Sequence, residues 1–305
     1  MASTPKTVLI TGATGFVGQR VARALTQRGD RVIGLSRGAR EPSEHVARWH
    51  VWSSPGEPLP AAALDGVDAI VHLAGEPVAG RWSAAKKARI RDSRVLGTRG
   101  VVAAIAAAAS RPGVLVSASA IGYYGDRGDD ALIESAAPGE DFLAEVCTAW
   151  EAEARAAEQL GVRVASLRIG LVMHPDGGAL AKMMTPFKLC LGGKMGGGRQ
   201  WMSWIHLDDL VGLVLFALDV AEARGPINAT APEPVRNRAF AKALGRALHR
   251  PSFIPAPGFA LRVALGEFST ELLSSKRVLP DRAAALGYRF SWPALQPALD
   301  DLLAG

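Results

Sequence analysis

Cysteine is scarce in this chain. Only Cys147 and Cys190 occur among 305 residues, which excludes a disulfide framework and a four-ligand zinc site built by one chain. Long apolar runs are missing too. The longest, 101–109 and 210–218, fall well short of the roughly 20 residues that a bilayer-spanning helix needs. There is no long block of like charge: 27 Arg and 8 Lys are scattered among 29 acidic residues, for a net charge of +6. A dedicated nucleic-acid surface would cluster its cations. The densest group, from Lys86 to Arg99, falls on an expected helix and reads as a solvated face. No apolar leader with a basic flank precedes Gly12. A cytoplasmic setting with no nucleic-acid and no membrane partner is the expectation.

Glycine, by contrast, is plentiful at 33 residues, as tight turns and close backbone approach require. Over the first 170 residues, short apolar runs alternate with helical spacing. The stretches 7–10, 31–36, 46–52, 68–73, 114–119 and 163–169 read as strands, and 16–28, 84–109 and 141–160 as helices. Continuous apolar strands between helices predict a parallel sheet covered on both faces. After Gly170 the pattern changes. Glycines at 177, 178, 192, 193 and 196–198 mark loops. The run WMSWIH at 201–206 reads as one strand, leading into a helix over 208–220 with Asp208 as its N-cap. A further strand is expected at 226–230, and short helices near 237–248, 259–265 and 293–303. The fold class is α/β, a Rossmann-type doubly wound parallel sheet with a smaller C-terminal substrate lobe. The first domain spans 1–170 with a returning segment at about 201–230; the lobe takes 171–200 and 231–305.

The motif that carries chemistry is Thr11-Gly12-Ala13-Thr14-Gly15-Phe16-Val17-Gly18, between an expected strand and an expected helix. In that context Gly12 permits the tight turn, Gly15 lets the backbone reach a pyrophosphate, and Gly18 lets helix and strand pack closely. The helix N-terminus adds unpaired N–H groups and a positive dipole end. At the end of the second strand, an NAD site places an acid against the ribose, whereas an NADP site needs a cation for the 2′-phosphate. Here Ser36-Arg37-Gly38-Ala39-Arg40 offers a hydroxyl and a guanidinium fork, with no acid before Glu41. NADP(H) is therefore expected over NAD.

These residues, with His72-Leu-Ala-Gly75 and Ser117-Ala-Ser119, resemble the extended short-chain dehydrogenase/reductase superfamily. AGEPVAGRW at 74–82, RIRDSRVLGT at 89–98, SASAIGYYGDRGD at 117–129 and DFLAEVCTAWE at 141–151 resemble one branch of it. So do IPAPGFALRVALGE at 254–267 and RVLPDRAAALGYRF at 277–290. The branch is the NAD-dependent epimerase/dehydratase-like "epimerase family", whose C-terminal segment is a domain of unknown function. The resemblance implies a phosphate loop of Gly12, Thr14, Gly15, Phe16 and Val17, and an adenosine-ribose end at Ser36 and Arg37. It implies a cofactor-lining loop at Leu73, Ala74, Gly75 and Glu76, strand-end positions Ser117 and Ala118 near the nicotinamide ribose, and a nicotinamide cover at Ile169 and Leu171.

The chain departs from the superfamily where proton transfer belongs. Superfamily catalysis uses Ser, Tyr and Lys, the Tyr exchanging a proton while its pKa is lowered by the Lys. Ser119 stands at the Ser position. Anchored on Trp150-Glu151, the Tyr position holds Leu143 and the Lys position Cys147; the helical Asn is replaced near Arg94. Tyr123 or Tyr124 is the candidate replacement phenol, with Glu145 a further acid/base if half-buried. The function expected is an NADP(H)-dependent oxidoreductase of unassigned small-molecule substrate. The alternatives are a non-catalytic NADP(H)-binding regulator and a nucleotide-sugar epimerase or dehydratase. Arg199, in the glycine-rich stretch 192–200, is the candidate for an anionic substrate group. His206-Leu-Asp208-Asp209 lacks convergent ligand spacing, so no metal is expected. A homodimer is the assembly considered.

Overall fold

The computed structural model describes residues 4–304. Seven strands pair in parallel, in the order Gly225–Ala229, Arg163–Ile169, Val114–Ala120, Ala69–His72, Thr7–Thr11, Arg31–Ser36 and Arg48–Val51. Side chains on a strand alternate faces, and the cores record this. Val8 and Ile10 join one apolar cluster with Val21, Leu25, Leu210 and Val214, from the helices Phe16–Gln27 and Leu207–Asp219. Leu9 points the other way, to Val101, Ile105 and Ala154 on Ala84–Ala107 and Phe142–Arg155. Each fully buried aliphatic side chain contributes about 1.5–3 kcal/mol, so both helical layers are held to the sheet. The strand order reverses between Thr7–Thr11 and Ala69–His72, and ligand crevices in open α/β sheets form outside the carboxyl ends at such a point. A third core, with Phe187, Trp204, Phe240, Leu244 and Leu299, fills the C-terminal part.

Three of the differences from the sequence reading fall after Gly170. The 201–206 run is two strands. Trp201–Met202 pairs antiparallel with Val235–Arg236, and Trp204–His206 pairs parallel with Leu171–His174. Between them Ser203 lies outside both strands: its hydroxyl donates to the Lys276 carbonyl and accepts from the Val278 N–H, and its carbonyl accepts the Leu171 N–H at 2.9 Å. The supposed loop around Gly177 and Gly178 opens a helix, Gly178–Lys188, that buries Leu180, Met184 and Phe187 and ends two residues after Pro186. Finally, Asp208 is not the N-cap of its helix. His206 is, with Nδ1 accepting the Asp208 N–H at 3.1 Å. Burial lowers the His206 pKa, which favours the neutral imidazole that such an acceptor requires.

Candidate cofactor crevice and polar cluster

The turn after Thr7–Thr11 is built for close backbone approach. Gly12 has φ +72°, and a Cβ there would sit 2.9 Å from the Ala74 nitrogen; one on Gly18 would run into the Gly12 carbonyl oxygen. Gly15 is the N-cap of Phe16–Gln27. No side chain caps that helix and its first turn holds no acid, so the N–H groups of the first turn have no side-chain acceptor, as an anion site requires. Phe16 packs on His174 at 5.4 Å and against Gly177. Thr14 and Gly15 are exposed, and Val17 is half-buried. These residues fit a dinucleotide's diphosphate.

The neighbouring loop is positioned by a chain of hydrogen bonds. Thr11 Oγ1 accepts the Leu73 and Ala74 N–H groups, both at 3.1 Å, which leaves its proton for His72 Nδ1 at 2.6 Å. His72 Nε2 then donates to Thr98 Oγ1 at 3.0 Å, and Thr98 donates to the Arg94 carbonyl at 2.6 Å. Counting donors and acceptors assigns the neutral Nε2–H tautomer. Burial agrees, pushing the His72 pKa down to about 4. Past this chain, Glu76 is held by Lys86 at 2.7 Å. The Arg94 guanidinium lies over Gly75, donates to the Glu76 carbonyl at 3.0 Å and stacks on Trp150. At the far end Ser36 donates to the Gly38 carbonyl. Arg40 lies over Trp49. Arg37 is exposed and forms no ion pair among the described residues.

At the ends of Val114–Ala120 and Arg163–Ile169 the residues close on one another. Ser119 donates to Glu151 Oε1 at 2.7 Å, and Arg168 grips both Glu151 oxygens at 2.8 and 2.9 Å. Arg168 also donates to the Tyr124 hydroxyl at 2.9 Å, and Tyr124 donates to Asn228 Oδ1 at 2.7 Å. All five side chains are buried. Burial pushes the Tyr124 phenol up to about 12. Burial alone would lower the Arg168 pKa, but the Glu151 carboxylate and Tyr124 reverse the shift and raise it. The Tyr124 hydroxyl is thus committed inside the protein, and the single Ser119 proton points at Glu151 rather than into an open cleft. Tyr123 is half-buried with Arg168 over its ring, and its hydroxyl makes no hydrogen bond among the described residues. Leu143 and Cys147 are buried, and burial raises the Cys147 thiol to about 12. Glu145 is exposed. Ser117 and Ala118 are buried on the strand, whereas Ile169 and Leu171 are half-buried beside it.

Glu151 is the residue that sequence reasoning passed over. It served only to align the helix, although an arginine ending a buried strand requires an acid somewhere. Arg199 is exposed and lines a cavity of about 680 Å³ with Asp126, Asp129, Arg236 and Arg262. Arg236 pairs with Asp129, whereas Arg199 and Arg262 have no ion-pair partner among the described residues. No cluster of three metal-ligating side chains exists among the described residues.

Sheet order, crevice and loop together define the short-chain dehydrogenase/reductase architecture. A model of the NAD dependent epimerase/dehydratase family matches residues 8–229, and one of a domain of unknown function, DUF1731, matches 256–302. The chain belongs to the NAD dependent epimerase/dehydratase family. More particularly, it is 43% identical over 307 residues to the Arabidopsis thaliana epimerase family protein SDR39U1 homolog, chloroplastic, covering 96% of this chain and 85% of that one. It is 39% identical to the Bacillus subtilis epimerase family protein YfhF, covering 97% and 98%. Among solved structures, human SDR39U1 (isoform2) with NADPH superposes with a TM-score of 0.88 at 32% identity, covering 98% and 99%.

Proposed function

We propose that this protein binds NADP(H) in the crevice and acts as an oxidoreductase of the extended short-chain dehydrogenase type on a small substrate with an anionic group. One observation carries the reading: an uncapped, acid-free helix N-terminus behind a glycine turn, with Arg37 just past the end of Arg31–Ser36 and without an ion-pair partner among the described residues. The NADPH in the human relative supports the phosphorylated cofactor over NAD. The cofactor supplies or accepts a hydride. Backbone N–H groups at Gly15 to Val17 hold its diphosphate. Ser36 and Arg37 hold the adenosine ribose and its 2′-phosphate. Leu73 to Glu76, Ser117, Ala118, Ile169 and Leu171 wall the nicotinamide end. Arg94 provides there the positive charge that a lysine at position 147 would have supplied. Tyr123, the phenol with an uncommitted hydroxyl, exchanges the proton at the substrate oxygen, and Arg199 receives the anionic group.

Titration with NADPH and NADH tests the cofactor. Arg37→Ala should weaken NADPH tenfold or more, the loss of a charged hydrogen bond of about 1.5–3 kcal/mol, and leave NADH unchanged. An unchanged NADPH affinity refutes the ribose assignment. With a carbonyl panel, Tyr123→Phe should cut turnover by about 10²–10⁴ without moving Tm. The second reading, a binder without turnover, is favoured by Leu143 and Cys147 at the Tyr and Lys positions and by the committed Ser119 proton. It predicts tight NADPH binding with no cofactor oxidation by any member of the panel.

A further inference from the structure

The cations of this chain form no runs, but four long stretches lack any acid: 1–29, 93–125 and, in the C-terminal part, 177–207 and 234–266. Between Asp176 and Asp208 stand Lys182, Lys188, Lys194 and Arg199 without one Asp or Glu. Between Glu233 and Glu267 stand Arg236, Arg238, Lys242, Arg246, Arg250 and Arg262, again without an acid. These 64 residues therefore carry ten cations against none, while the other 241 carry 25 against 29. A protein of net charge +6 is thus divided into a +10 part and a −4 part. Among the described residues, only Arg236 of the ten forms an ion pair.

The same stretches hold most of the exposed bulky apolar side chains. Leu189, Leu191, Phe253, Ile254, Phe259 and Val263 are exposed, Phe253 by 77% and Val263 by 74%; elsewhere among the described residues only Val51 and Ile133 are comparable. The two stretches are adjacent in space. The Ile254 N–H donates to the Gly192 carbonyl at 3.1 Å, and Met195 bridges to Ala256. The helix Gly258–Leu265 follows directly and buries none of its residues. Phe259 and Val263, four apart, share one of its faces. Along Asn237–Ala247, Arg238, Lys242 and Arg246 form an exposed basic stripe at the same spacing, extended by His249 and Arg250. Each apolar tip thus has a cation close by in sequence: Lys188 beside Leu189, Arg250 before Phe253, Arg262 beside Val263.

We infer that this face of the C-terminal part docks on an anionic membrane surface, with the cations at the headgroups and the apolar tips at the acyl boundary. Charge complementarity selects this occupant. A second copy of the chain would bring ten cations against ten, and an acidic protein or a nucleic acid would leave the apolar tips without use. A fluid anionic interface uses both kinds of side chain and needs no shaped groove. The mode is peripheral, since no helix among the described residues is long and apolar enough to cross a bilayer.

Flotation of the full chain with vesicles of phosphatidylcholine alone, or mixed with phosphatidylglycerol, tests this. The protein should float with the mixed vesicles, stay behind with phosphatidylcholine, and be released progressively by salt. Lys242→Glu/Arg246→Glu/Arg250→Glu should reduce partitioning by on the order of a hundredfold. Phe253→Ser/Val263→Ser should reduce it by about tenfold at a salt concentration where wild type still floats. Both variants should keep the NADPH affinity and Tm of wild type, because these residues lie outside the crevice. Failure of the wild type to float with phosphatidylglycerol overturns the inference. So does displacement by duplex DNA with the Phe253→Ser/Val263→Ser variant unimpaired, which would mark a general polyanion site. A dimer in sedimentation velocity that the same variant dissolves would assign the face to a second copy instead.

Discussion

The crevice beside Gly12 and the polar cluster around Arg168 lie at the same end of one sheet and are built in opposite ways. The crevice is made of backbone. Its N–H groups carry no side-chain cap, and Arg37 has no ion-pair partner among the described residues. The cluster is made of side chains, and Ser119, Glu151, Arg168, Tyr124 and Asn228 satisfy one another in the interior. A ligand site keeps polar groups in reserve, because a partner must gain by replacing water there. A cluster that has spent its donors internally gains nothing from a ligand and supports the fold. On the proposed reading, ligand recognition falls to the glycine turn and structural support to the residues that superficially look most catalytic.

Three experiments can break or sharpen that contrast. The largest effect is expected from Gly18→Val. Its Cβ would meet the Gly12 carbonyl oxygen, backbone that cannot step aside, so NADPH binding should vanish and stability should fall by more than about 3 kcal/mol. Binding near the wild-type level would mean that the turn is not the grip. Next is Glu151→Gln, which leaves Arg168 charged and buried with half its partner. Denaturant midpoints should report a loss of about 3–5 kcal/mol, with NADPH affinity retained in the folded fraction. Lost turnover at unchanged stability would make the cluster catalytic and abolish the distinction. The smallest concerns pH. His72 is neutral in the fold, with its pKa lowered to about 4 from 6.5. Its contribution is therefore fully present above about 6.5 and lost as pH falls toward 4, where the unfolded chain takes up the proton first; the span is about 3 kcal/mol. In His72→Asn the unfolding midpoint should change less steeply across that window; an equal slope would remove His72 as the cause.

Much of this was legible from residue order. The strands Arg31–Ser36 and Arg163–Ile169 end where their apolar runs end, because a strand covered on both faces leaves an uninterrupted signature. The glycine turn was readable for a related reason: its function needs the absence of side chains at fixed spacing. What escaped depends on distant partners. Gly178–Lys188 looked like loop because its flanks are glycines, although Leu180, Met184 and Phe187 find a core supplied by residues 204–299. Trp201 to His206 looked continuous because nothing local shows that Ser203 bonds a segment some 75 positions away. The Glu151 role was hidden likewise, since its partner lies on another element, 17 residues on.

The Glu151–Arg168 pair has one more consequence. Val114–Ala120 and Arg163–Ile169 are buried along nearly their whole length on both faces, so inward-outward alternation does little to tell one alignment of these neighbours from the next. Ser119 stands opposite Arg168 in the ladder. A slide by one residue would turn the guanidinium to the wrong side of the sheet, and a slide by two would carry it about 7 Å from its carboxylate. The ion pair thus works as an indexing pin, making one alignment of two buried ribbons the one that folds.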